Sequence, residues 1–190
     1  MLSVRDATVE DVPRLLEIYE YYVNTTAITF DYSVPSSSDF TQQMILIQKK
    51  YPYLVVESEG KVWGYAYASP WIHRAAYDWC CESSIYIHKD ARKQGLGRLL
   101  YMHLEDLLSQ MGILNIYACI ALPETEDSYL TCNSADFHKH LGYSQTGFFR
   151  NCGYKFGRWY HMIWMEKFLG THESPVFPVI PYPELKKAKA

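Results

Sequence analysis

The sequence predicts an α/β fold in which one sheet carries helices on both faces. Segments with strand character and amphipathic helical segments alternate along the chain in a mixed order, which is typical of that architecture. Over residues 82–100 a strand with alternating apolar residues passes directly into a glycine-containing turn and a helix. The chain has 190 residues and is 48% hydrophobic, so it can bury a complete core as one domain.

The N-terminal half supplies three strands and two helices. In order, the pattern predicts a strand at 2–6, a helix that begins near 8–11, a second helix from about 36 to 50, and strands at 53–57 and 62–69. Thr8 with Asp11 three residues later is typical of a helix start. Glu59-Gly60 predicts a hairpin turn between the last two strands. Residues 70–78 form a loop rich in Trp, Tyr and basic side chains.

The C-terminal half continues the alternation. It holds the strand near 82–87, a helix at 96–111 that ends at Gly112, a strand at 114–121, an acidic loop at 123–128, a short helix from 133 or 134 to 142, and strands near 143–149 and 159–167. Four prolines between 175 and 183 predict neither a regular helix nor a central strand in residues 170–190. We expect a domain over residues 1–169 and a Pro-rich tail that lies along the surface or is disordered.

Composition argues against several classes of protein. The formal net charge of -3 argues against nucleic-acid binding, which normally needs a large positive excess. No apolar run reaches the length of a membrane span and the first residues lack a signal-peptide core, so we expect no membrane partner and a cytoplasmic location. The five cysteines show no C-x-x-C spacing, which predicts neither a disulfide framework nor a zinc site. We expect most of them to be buried.

The turn Arg92-Lys-Gln-Gly-Leu-Gly-Arg98 predicts a site for a phosphorylated cofactor. Gly95 and Gly97 allow backbone amides to approach a ligand, and the following helix directs unpaired N–H groups and its positive dipole end to the same place. Two other phosphate-binding motifs are absent. There is no Gly-Lys-Ser/Thr of a P-loop, and Leu100 replaces the third glycine of a dinucleotide-binding fingerprint. A basic, solvated turn before an ordinary helix stays open as the alternative.

Several blocks in one order resemble the phosphinothricin acetyltransferases and the related methionine sulfoximine/sulfone acetyltransferases of the GNAT superfamily. The blocks are Trp71, 74–79, 82–87, 92–98, 138–143 and 153–159, within a match over residues 2–169. The loop at 122–133 departs from the family by its greater length. The resemblance implies a GNAT domain with a mixed, mostly antiparallel sheet, a homodimer, and transfer of acetyl from acetyl-CoA to the α-amine of a small amino-acid-like compound.

The resemblance also implies how acetyl-CoA, the co-substrate, is held. Main-chain groups of Ile85, Tyr86 and Ile87 would pair with the pantetheine arm like an added strand, with one N–H polarising the thioester carbonyl. Residues assigned to the pyrophosphate are Arg92, Lys93, Gln94, Gly95, Leu96, Gly97 and Arg98. Asn133 corresponds to an asparagine that hydrogen-bonds the cofactor, and a helix N-cap is an equally compatible role.

Acetylation of an amine needs a base, because a free α-amine titrates at about pH 8 or above. Glu82 matches the family's catalytic glutamate, and a solvated strand-face carboxylate is the alternative. His138 falls where the phosphinothricin enzymes have a histidine. With an ordinary pKa of about 6.5 it can relay or donate a proton, and a helix-surface histidine without a role is the alternative.

Recognition of an amino acid needs a partner for its carboxylate, and a guanidinium provides a bidentate one. Arg74 is the candidate, flanked by His73 and Tyr77 in the loop before the Glu82 strand, and a solvent-facing loop arginine is the alternative. Lys155 and Arg158 are second choices. No histidine pair has metal-ligand spacing, so no metal is expected.

Two other functions stay open on the same sequence. One is a GNAT enzyme that acetylates a polyamine or a protein N-terminus. Arg74 argues against the polyamine, because a polyamine is a polycation. The other is a catalytically silent acyl-CoA-binding protein, which Glu82 and the intact glycine turn disfavour.

Overall fold

Seven strands form one sheet in the computed structural model, which describes residues 2–188. The strands are β1 (Leu2–Asp6), β2 (Tyr53–Ser58), β3 (Lys61–Pro70), β4 (Cys80–Ile87), β5 (Asn115–Leu122), β6 (Ser144–Lys155) and β7 (Arg158–Phe168). The helices are α1 (Val12–Thr25), α2 (Ser37–Gln48), α3 (Leu96–Met111), α4 (Asn133–His140) and α5 (Tyr182–Lys187). The alternation of strands and helices predicted from the sequence is confirmed.

The order of strands across the sheet is β1-β2-β3-β4-β5-β7-β6. Every neighbouring pair is antiparallel except β4 and β5, which are parallel because α3 connects them as a crossover. A mixed, mostly antiparallel sheet is therefore confirmed. The parallel pair is short, since only residues 80–82 of β4 pair with residues 115–117 of β5.

Helices cover both faces of the sheet, as predicted. Residues 53–56 of β2 are buried in succession, and successive side chains of a strand point to opposite faces. Tyr65 of β3 meets Phe40 of α2 edge-on, with ring centroids 6.3 Å apart. Within residues 2–188, no helix is long and apolar enough to pass through a membrane.

Glycines in the left-handed region lie at both ends of α3. Gly95 precedes the helix with φ 82° and Gly112 follows it with φ 87°, so the predicted left-handed C-cap is confirmed. Between them, Leu100, Leu104 and Leu108 are fully buried. This apolar stripe holds α3 on the sheet, and the start of the helix therefore has a fixed position next to the end of β4.

β6 is longer than the sequence pattern indicated. The strand predicted at 143–149 continues to Lys155, and its pairing with β7 shifts register between Gln145 and Gly147 and again between Phe149 and Gly153. Register shifts interrupt the two-residue alternation of a strand. The pattern that predicts a strand is lost beyond Phe149 for this reason.

The tail after Gly170 folds back onto the domain. Contrary to expectation it contains a helix, α5, because Pro183 lies in the first turn, where its missing N–H costs nothing. The N–H of Ile180 donates to the carbonyl of Met111 at 2.8 Å, which fixes the tail along the surface. Residues 189 and 190 of the predicted tail lie outside the described residues, and the boundary between 169 and 170 stays a prediction.

The cysteines differ from expectation. Only Cys81 is buried, whereas Cys119 and Cys152 are exposed and the other two are partly buried. Cys119 faces the space beside β5, and Cys152 lies in the irregular part of β6. The prediction that most cysteines are buried is therefore wrong.

Candidate active site

β4 and β5 separate directly after their paired segment. Past Glu82, β4 keeps β3 on one side but has no strand on the other. A cavity of about 60 Å³, the gap chamber, lies between the two strands. A second cavity of about 450 Å³, the turn cavity, lies between β4, residues 91–98 and the start of α4. The two share Ile28, Ile85 and Ser134 in their linings and therefore border each other.

The free edge of β4 presents main-chain groups to the gap at every second residue. The N–H of His88 donates to the carbonyl of Trp63 at 2.8 Å, on the β3 side. Because the direction of main-chain groups alternates along an antiparallel pair, those of Tyr86 also belong to the β3 ladder. The structure therefore corrects the prediction for Tyr86, whereas Ile85 and Ile87 face the gap.

The Tyr22 hydroxyl closes one end of this free edge. It donates to the carbonyl of Ile87 at 2.6 Å and lies 3.2 Å from the N–H of the same residue, which donates to it. Tyr22 belongs to the apolar stripe of α1, so its sequence position indicated only a core residue. Of the three residues predicted to pair with the pantetheine arm, Ile85 alone keeps both main-chain groups open to the gap.

The turn after β4 holds a row of unbonded backbone N–H groups. From Lys93 to Arg98 no amide has a hydrogen-bond acceptor within residues 2–188. Lys93 and Gly95 adopt left-handed φ values of 60° and 82°, which turn the chain tightly into α3. Successive free amides at the positive end of a helix are suited to bind an anion. This arrangement favours a phosphate site over an ordinary solvated turn.

The two glycines of the turn have different physical roles. A Cβ on Gly97 would lie 3.1 and 3.2 Å from ring atoms of Phe137, because α4 packs against the first turn of α3. A Cβ on Gly95 would meet nothing within 4 Å, but its φ of +82° disfavours other residues. The sequence indicated close ligand approach at both positions, and packing between helices adds a second requirement at Gly97.

Arg92 lines the turn cavity with a guanidinium that lies over two tyrosine rings and makes no hydrogen bond within residues 2–188. Its central carbon lies 5.0 and 4.9 Å from the ring centroids of Tyr21 and Tyr22. Its Nη2 is buried and has no hydrogen-bond partner within residues 2–188. Since a buried donor without an acceptor is costly, an anion in the cavity would stabilise it. Gln94 is absent from the cavity lining, and its side chain donates to the carbonyl of Asp90 at 3.2 Å.

Glu82 lies at the point where the strands separate, opposite Tyr117 of β5. The side chain is half-buried and has no hydrogen-bond or ion-pair partner within the described part of the chain. Burial raises the pKa of its carboxyl above the ordinary value, because water solvates the charged form less well there. A carboxylate with a raised pKa and no cation beside it is a stronger base, which favours the catalytic over the solvated interpretation.

His138 is buried, with 3% of its surface exposed, so it is not a surface histidine. Its Nδ1 lies 2.7 Å from the carbonyl of Ser134 and its Nε2 lies 2.8 Å from the Tyr101 hydroxyl. A carbonyl only accepts, so Nδ1 carries a hydrogen and the Nε2 of a neutral ring accepts from Tyr101. Burial lowers the pKa of His138 to about 4, which makes the imidazole neutral at pH 7.

Tyr101 and Ser83 extend this contact along the gap chamber. The Tyr101 hydroxyl lies 3.1 Å from Ser83 Oγ, which in turn lies 3.1 Å from the carbonyl oxygen of Tyr117. Ser83, Tyr101 and His138 all line the chamber. Tyr101 and Ser83 are not among the site residues predicted from the sequence. Tyr101 follows Leu100 in the apolar helix, so nothing in its spacing separated it from core residues.

The loop between β3 and β4 carries the predicted substrate residues. His73 and Arg74 are exposed, and the Arg74 guanidinium has no partner within residues 2–188. Tyr77 packs edge-on against Trp71, whose ring stacks on Tyr117 with centroids 4.3 Å apart. The stack attaches the loop to the strand residue opposite Glu82. Arg74 therefore remains a solvent-facing guanidinium on an anchored loop.

The remaining candidates have different surroundings. Asn133 is the first residue of α4 and lines the turn cavity, but its side chain caps no helix amide, so the N-cap alternative is not observed. Lys155 is buried and donates to the carbonyl of Thr29 at 2.7 Å. Arg158 forms an ion pair with Asp127 at 3.0 Å. Neither second choice for the carboxylate partner is therefore free.

Comparison with known proteins agrees with this geometry. A family model described as an acetyltransferase (GNAT) domain matches residues 4–164. The chain belongs to the GNAT acetyltransferase family. It is 34% identical over 180 residues, 94% of each chain, to the phosphinothricin N-acetyltransferase of Streptomyces viridochromogenes. It is 30% identical to the L-methionine sulfoximine/L-methionine sulfone acetyltransferase of Salmonella typhimurium, over 92% of this chain and 98% of that one.

A solved GNAT structure has the same fold. The GNAT superfamily phosphinothricin acetyltransferase from Sinorhizobium meliloti, in complex with AcCoA, aligns with a TM-score of 0.84 at 30% identity, over 95% of this chain and 98% of that one. The predicted fold and the predicted N-acetyltransferase activity with acetyl-CoA as co-substrate are thus confirmed at the level of the family. The contacts assigned to individual residues stay predictions.

The residues of this GNAT chain fit the co-substrate. The free amides from Lys93 to Arg98 and the unbonded Nη2 of Arg92 match a pyrophosphate, and the open main chain of Ile85 matches an extended amide arm. When bound, acetyl-CoA supplies an activated acetyl group as a thioester. Among residues 2–188 no three His, Cys, Asp or Glu side chains are grouped so that they could hold a metal ion.

Proposed function

We propose that this GNAT enzyme acetylates the α-amine of a small amino-acid-like acceptor of the phosphinothricin or methionine sulfoximine/sulfone type. The observation that carries the proposal is the 34% identity with a phosphinothricin N-acetyltransferase over 94% of both chains. The free Arg74 guanidinium near the strand that holds Glu82 supports an acceptor with a carboxylate.

Glu82 acts as the general base in this proposal. An α-amine is mostly protonated at neutral pH and attacks only after it has lost a proton. The half-buried carboxylate stands at the mouth of the gap, has no competing cation, and has a pKa that burial raises. The neutral amine then attacks the acetyl carbon directly, without an acetylated enzyme.

The main chain and the turn orient the co-substrate. The N–H of Ile85 faces the gap and can donate to a carbonyl placed there, while Arg92 and the amides of residues 93–98 hold the phosphates. Asn133, at the start of α4, contributes from the opposite wall of the turn cavity. Together these groups fix the acetyl donor before the acceptor binds, which lowers the entropy cost of the reaction.

Exposed aromatic side chains on β6 and β7 support a homodimer. Phe148, Phe149, Tyr154 and Trp159 are each between 43% and 60% exposed. Aromatic residues at this exposure on neighbouring strands are typical of an interaction surface. The homodimer is part of the proposal. The cytoplasmic location and the lack of a nucleic-acid partner stay predictions.

A panel of acceptors tests the proposal. Release of free CoA thiol is measured with phosphinothricin, methionine sulfoximine, methionine sulfone, common amino acids and spermidine, at one acetyl-CoA concentration. The proposal expects the highest kcat/KM for the first three. Turnover restricted to spermidine or to a peptide N-terminus would favour those acceptors instead. Binding of acetyl-CoA without turnover of any acceptor would indicate a silent acyl-CoA-binding protein.

A further inference from the structure

A row of hydrogen-bonding groups, the polar chain, runs from the Ser134 carbonyl through His138, Tyr101 and Ser83 to the Tyr117 carbonyl. It contains more hydrogen-bonding contacts than hydrogens to fill them. Its four contacts join the Ser134 carbonyl to Nδ1 of His138, Nε2 to Tyr101, Tyr101 to Ser83, and Ser83 to the Tyr117 carbonyl, at 2.7, 2.8, 3.1 and 3.1 Å. With a neutral imidazole, one ring N–H and two hydroxyl groups supply only three hydrogens for these four contacts. An imidazolium supplies the fourth.

The positions of the hydrogens follow from the two carbonyl groups at the ends. When His138 is protonated, Nε2–H donates to Tyr101, Tyr101 donates to Ser83, and Ser83 donates to the Tyr117 carbonyl. When His138 is neutral, Tyr101 must donate to Nε2, and the contact between Ser83 and one of its two neighbours has no hydrogen. The polar chain can therefore take up one proton, because each hydroxyl hydrogen can move to the next acceptor toward Nε2 of His138.

We propose that Tyr101 is a positioning residue that connects His138, through Ser83, to the gap chamber as a proton path for acetyl transfer. The proposal rests on the proposed function. All three side chains line the chamber, and the chamber borders the turn cavity through Ile85 and Ser134. Although the His138 side chain lines the chamber, both of its ring nitrogens are engaged, so a proton from the chamber reaches Nε2 through Tyr101.

The proton balance of the step is complete. Glu82 removes the first proton of the acceptor ammonium. When the nitrogen bonds to the acetyl carbon, its second N–H bond breaks and that proton passes to Ser83 Oγ. The Ser83 hydrogen moves to Tyr101 and the Tyr101 hydrogen to Nε2 of His138. When the C–S bond breaks, the hydrogens move back and the sulfur takes the second proton, so the path returns to its starting state. Glu82 then releases the first proton to solvent, and no oxidant or reductant is needed.

The lowered pKa of His138 is consistent with this temporary role. The imidazole is neutral in the resting enzyme and, once protonated, readily returns its proton to a thiolate. A purely structural network would also hold α4 to α3, so the test needs a readout that packing does not change.

Tyr143 provides a matched control. Tyr101 and Tyr143 are both buried, at 1% and 3% exposed, and both rings meet the His138 ring edge-on, with centroids 5.3 and 5.2 Å away. The hydroxyl of Tyr143 makes no hydrogen bond with His138. Removal of that hydroxyl changes the same part of the core without breaking any contact of the polar chain.

The experiment compares Tyr101→Phe, Ser83→Ala and Tyr143→Phe in the full-length enzyme. For Tyr101→Phe and Ser83→Ala we expect kcat to fall about 10-fold or more, with the KM for acetyl-CoA unchanged within about twofold. Tyr143→Phe should keep the wild-type kcat. A plot of the wild-type kcat against the deuterium fraction of the solvent should be curved, because several hydrogens move in the step. The same plot should be linear for Tyr101→Phe.

Nitrogen NMR of His138 in the free enzyme gives a readout that needs no turnover. The wild type should show a neutral ring with its hydrogen on Nδ1 and a hydrogen-bonded Nε2, and Tyr101→Phe should move the Nε2 signal toward that of an unbonded nitrogen. A hydrogen on Nε2 of the neutral ring, or an unchanged kcat in Tyr101→Phe, would overturn the proposal. If Tyr101→Phe does not fold, an unchanged kcat in Ser83→Ala overturns it.

The two proposals fail in different ways. If the acceptor class is wrong, the wild type does not turn over amino acids, but the variants still lose rate with whichever acceptor the wild type uses. If only the proton path is wrong, amino-acid turnover is observed and Tyr101→Phe retains it.

Discussion

The Lys155 ammonium on β6 donates a hydrogen bond to the main-chain carbonyl of Thr29 at 2.7 Å. This contact connects the loop after α1 to β6, an edge strand of the sheet. The same loop is held there by Phe30, whose ring leaves no space for a Cβ on Gly153, and by the Tyr32 hydroxyl, which donates to the Tyr154 carbonyl. Ile28 of this loop lines both cavities, so Lys155 helps to position one wall of the site.

Replacement of Lys155 by Met should lower stability. The aliphatic part of the side chain is kept, but the carbonyl of the half-buried Thr29 loses its donor, which costs about 1–3 kcal/mol. The measurement is the free energy of unfolding in urea. Lys139→Met, at an exposed position of α4, serves as the control and should change this free energy little. Equal stability of the two variants would show that the contact does not hold the loop.

Glu82→Gln should lower kcat at neutral pH by about 10²-fold or more while acetyl-CoA binding stays nearly intact, because base catalysis typically contributes 10² to 10⁴. Steady-state kinetics and calorimetric titration of acetyl-CoA measure the two effects. Glu20→Gln, at an exposed position of α1, is the control. A loss confined to acetyl-CoA affinity would assign Glu82 a structural role.

The pH dependence of the wild type should report the same carboxyl. Burial raises the pKa of Glu82, so the base becomes protonated at a higher pH than an ordinary glutamate, whose pKa is about 4.3. The acid limb of the kcat/KM profile should therefore lie above that value. It should be absent from the residual activity of Glu82→Gln. An acid limb that is identical in both proteins would belong to another group.

Gly97→Val should weaken acetyl-CoA binding strongly without unfolding the domain, since the added atoms push Phe137 and the start of α4 away from the turn. Calorimetric titration measures the affinity and circular dichroism the fold. Adding Phe137→Leu makes room for the valine and should restore part of the affinity. Unchanged affinity in a folded Gly97→Val protein would remove the cofactor from this turn.

Arg74→Lys should raise the KM for an amino-acid acceptor by one to two orders of magnitude, because an ammonium cannot reproduce a bidentate pair. The comparison uses kcat/KM for methionine sulfone and for its decarboxylated amine in both proteins. Arg150→Lys, at another exposed arginine, is the control. If both acceptors lose equally, Arg74 does not bind the carboxylate, and a polyamine or peptide acceptor becomes the better hypothesis.

Prediction from sequence succeeded where the signal is local. The turn at 92–98 depends on glycine, on basic side chains and on the start of a helix, all of which are adjacent in the chain. The regular strands and α3 show periodic apolar residues and were found for that reason. β6 beyond Phe149 and the α5 helix were missed, because a register shift hides strand periodicity and prolines were taken as a bar to any helix.

The sequence by itself determined the family resemblance, the order of elements, the phosphate-type turn and Glu82 as a candidate base. Only the tertiary structure decided that Tyr86 gives its main chain to β3, that Gly97 makes room for Phe137, and that His138 is buried against Tyr101. The physical reason is distance along the chain. Tyr101 and His138 are 37 residues apart, and no local preference records a hydrogen bond between two helices that meet only after the sheet has formed.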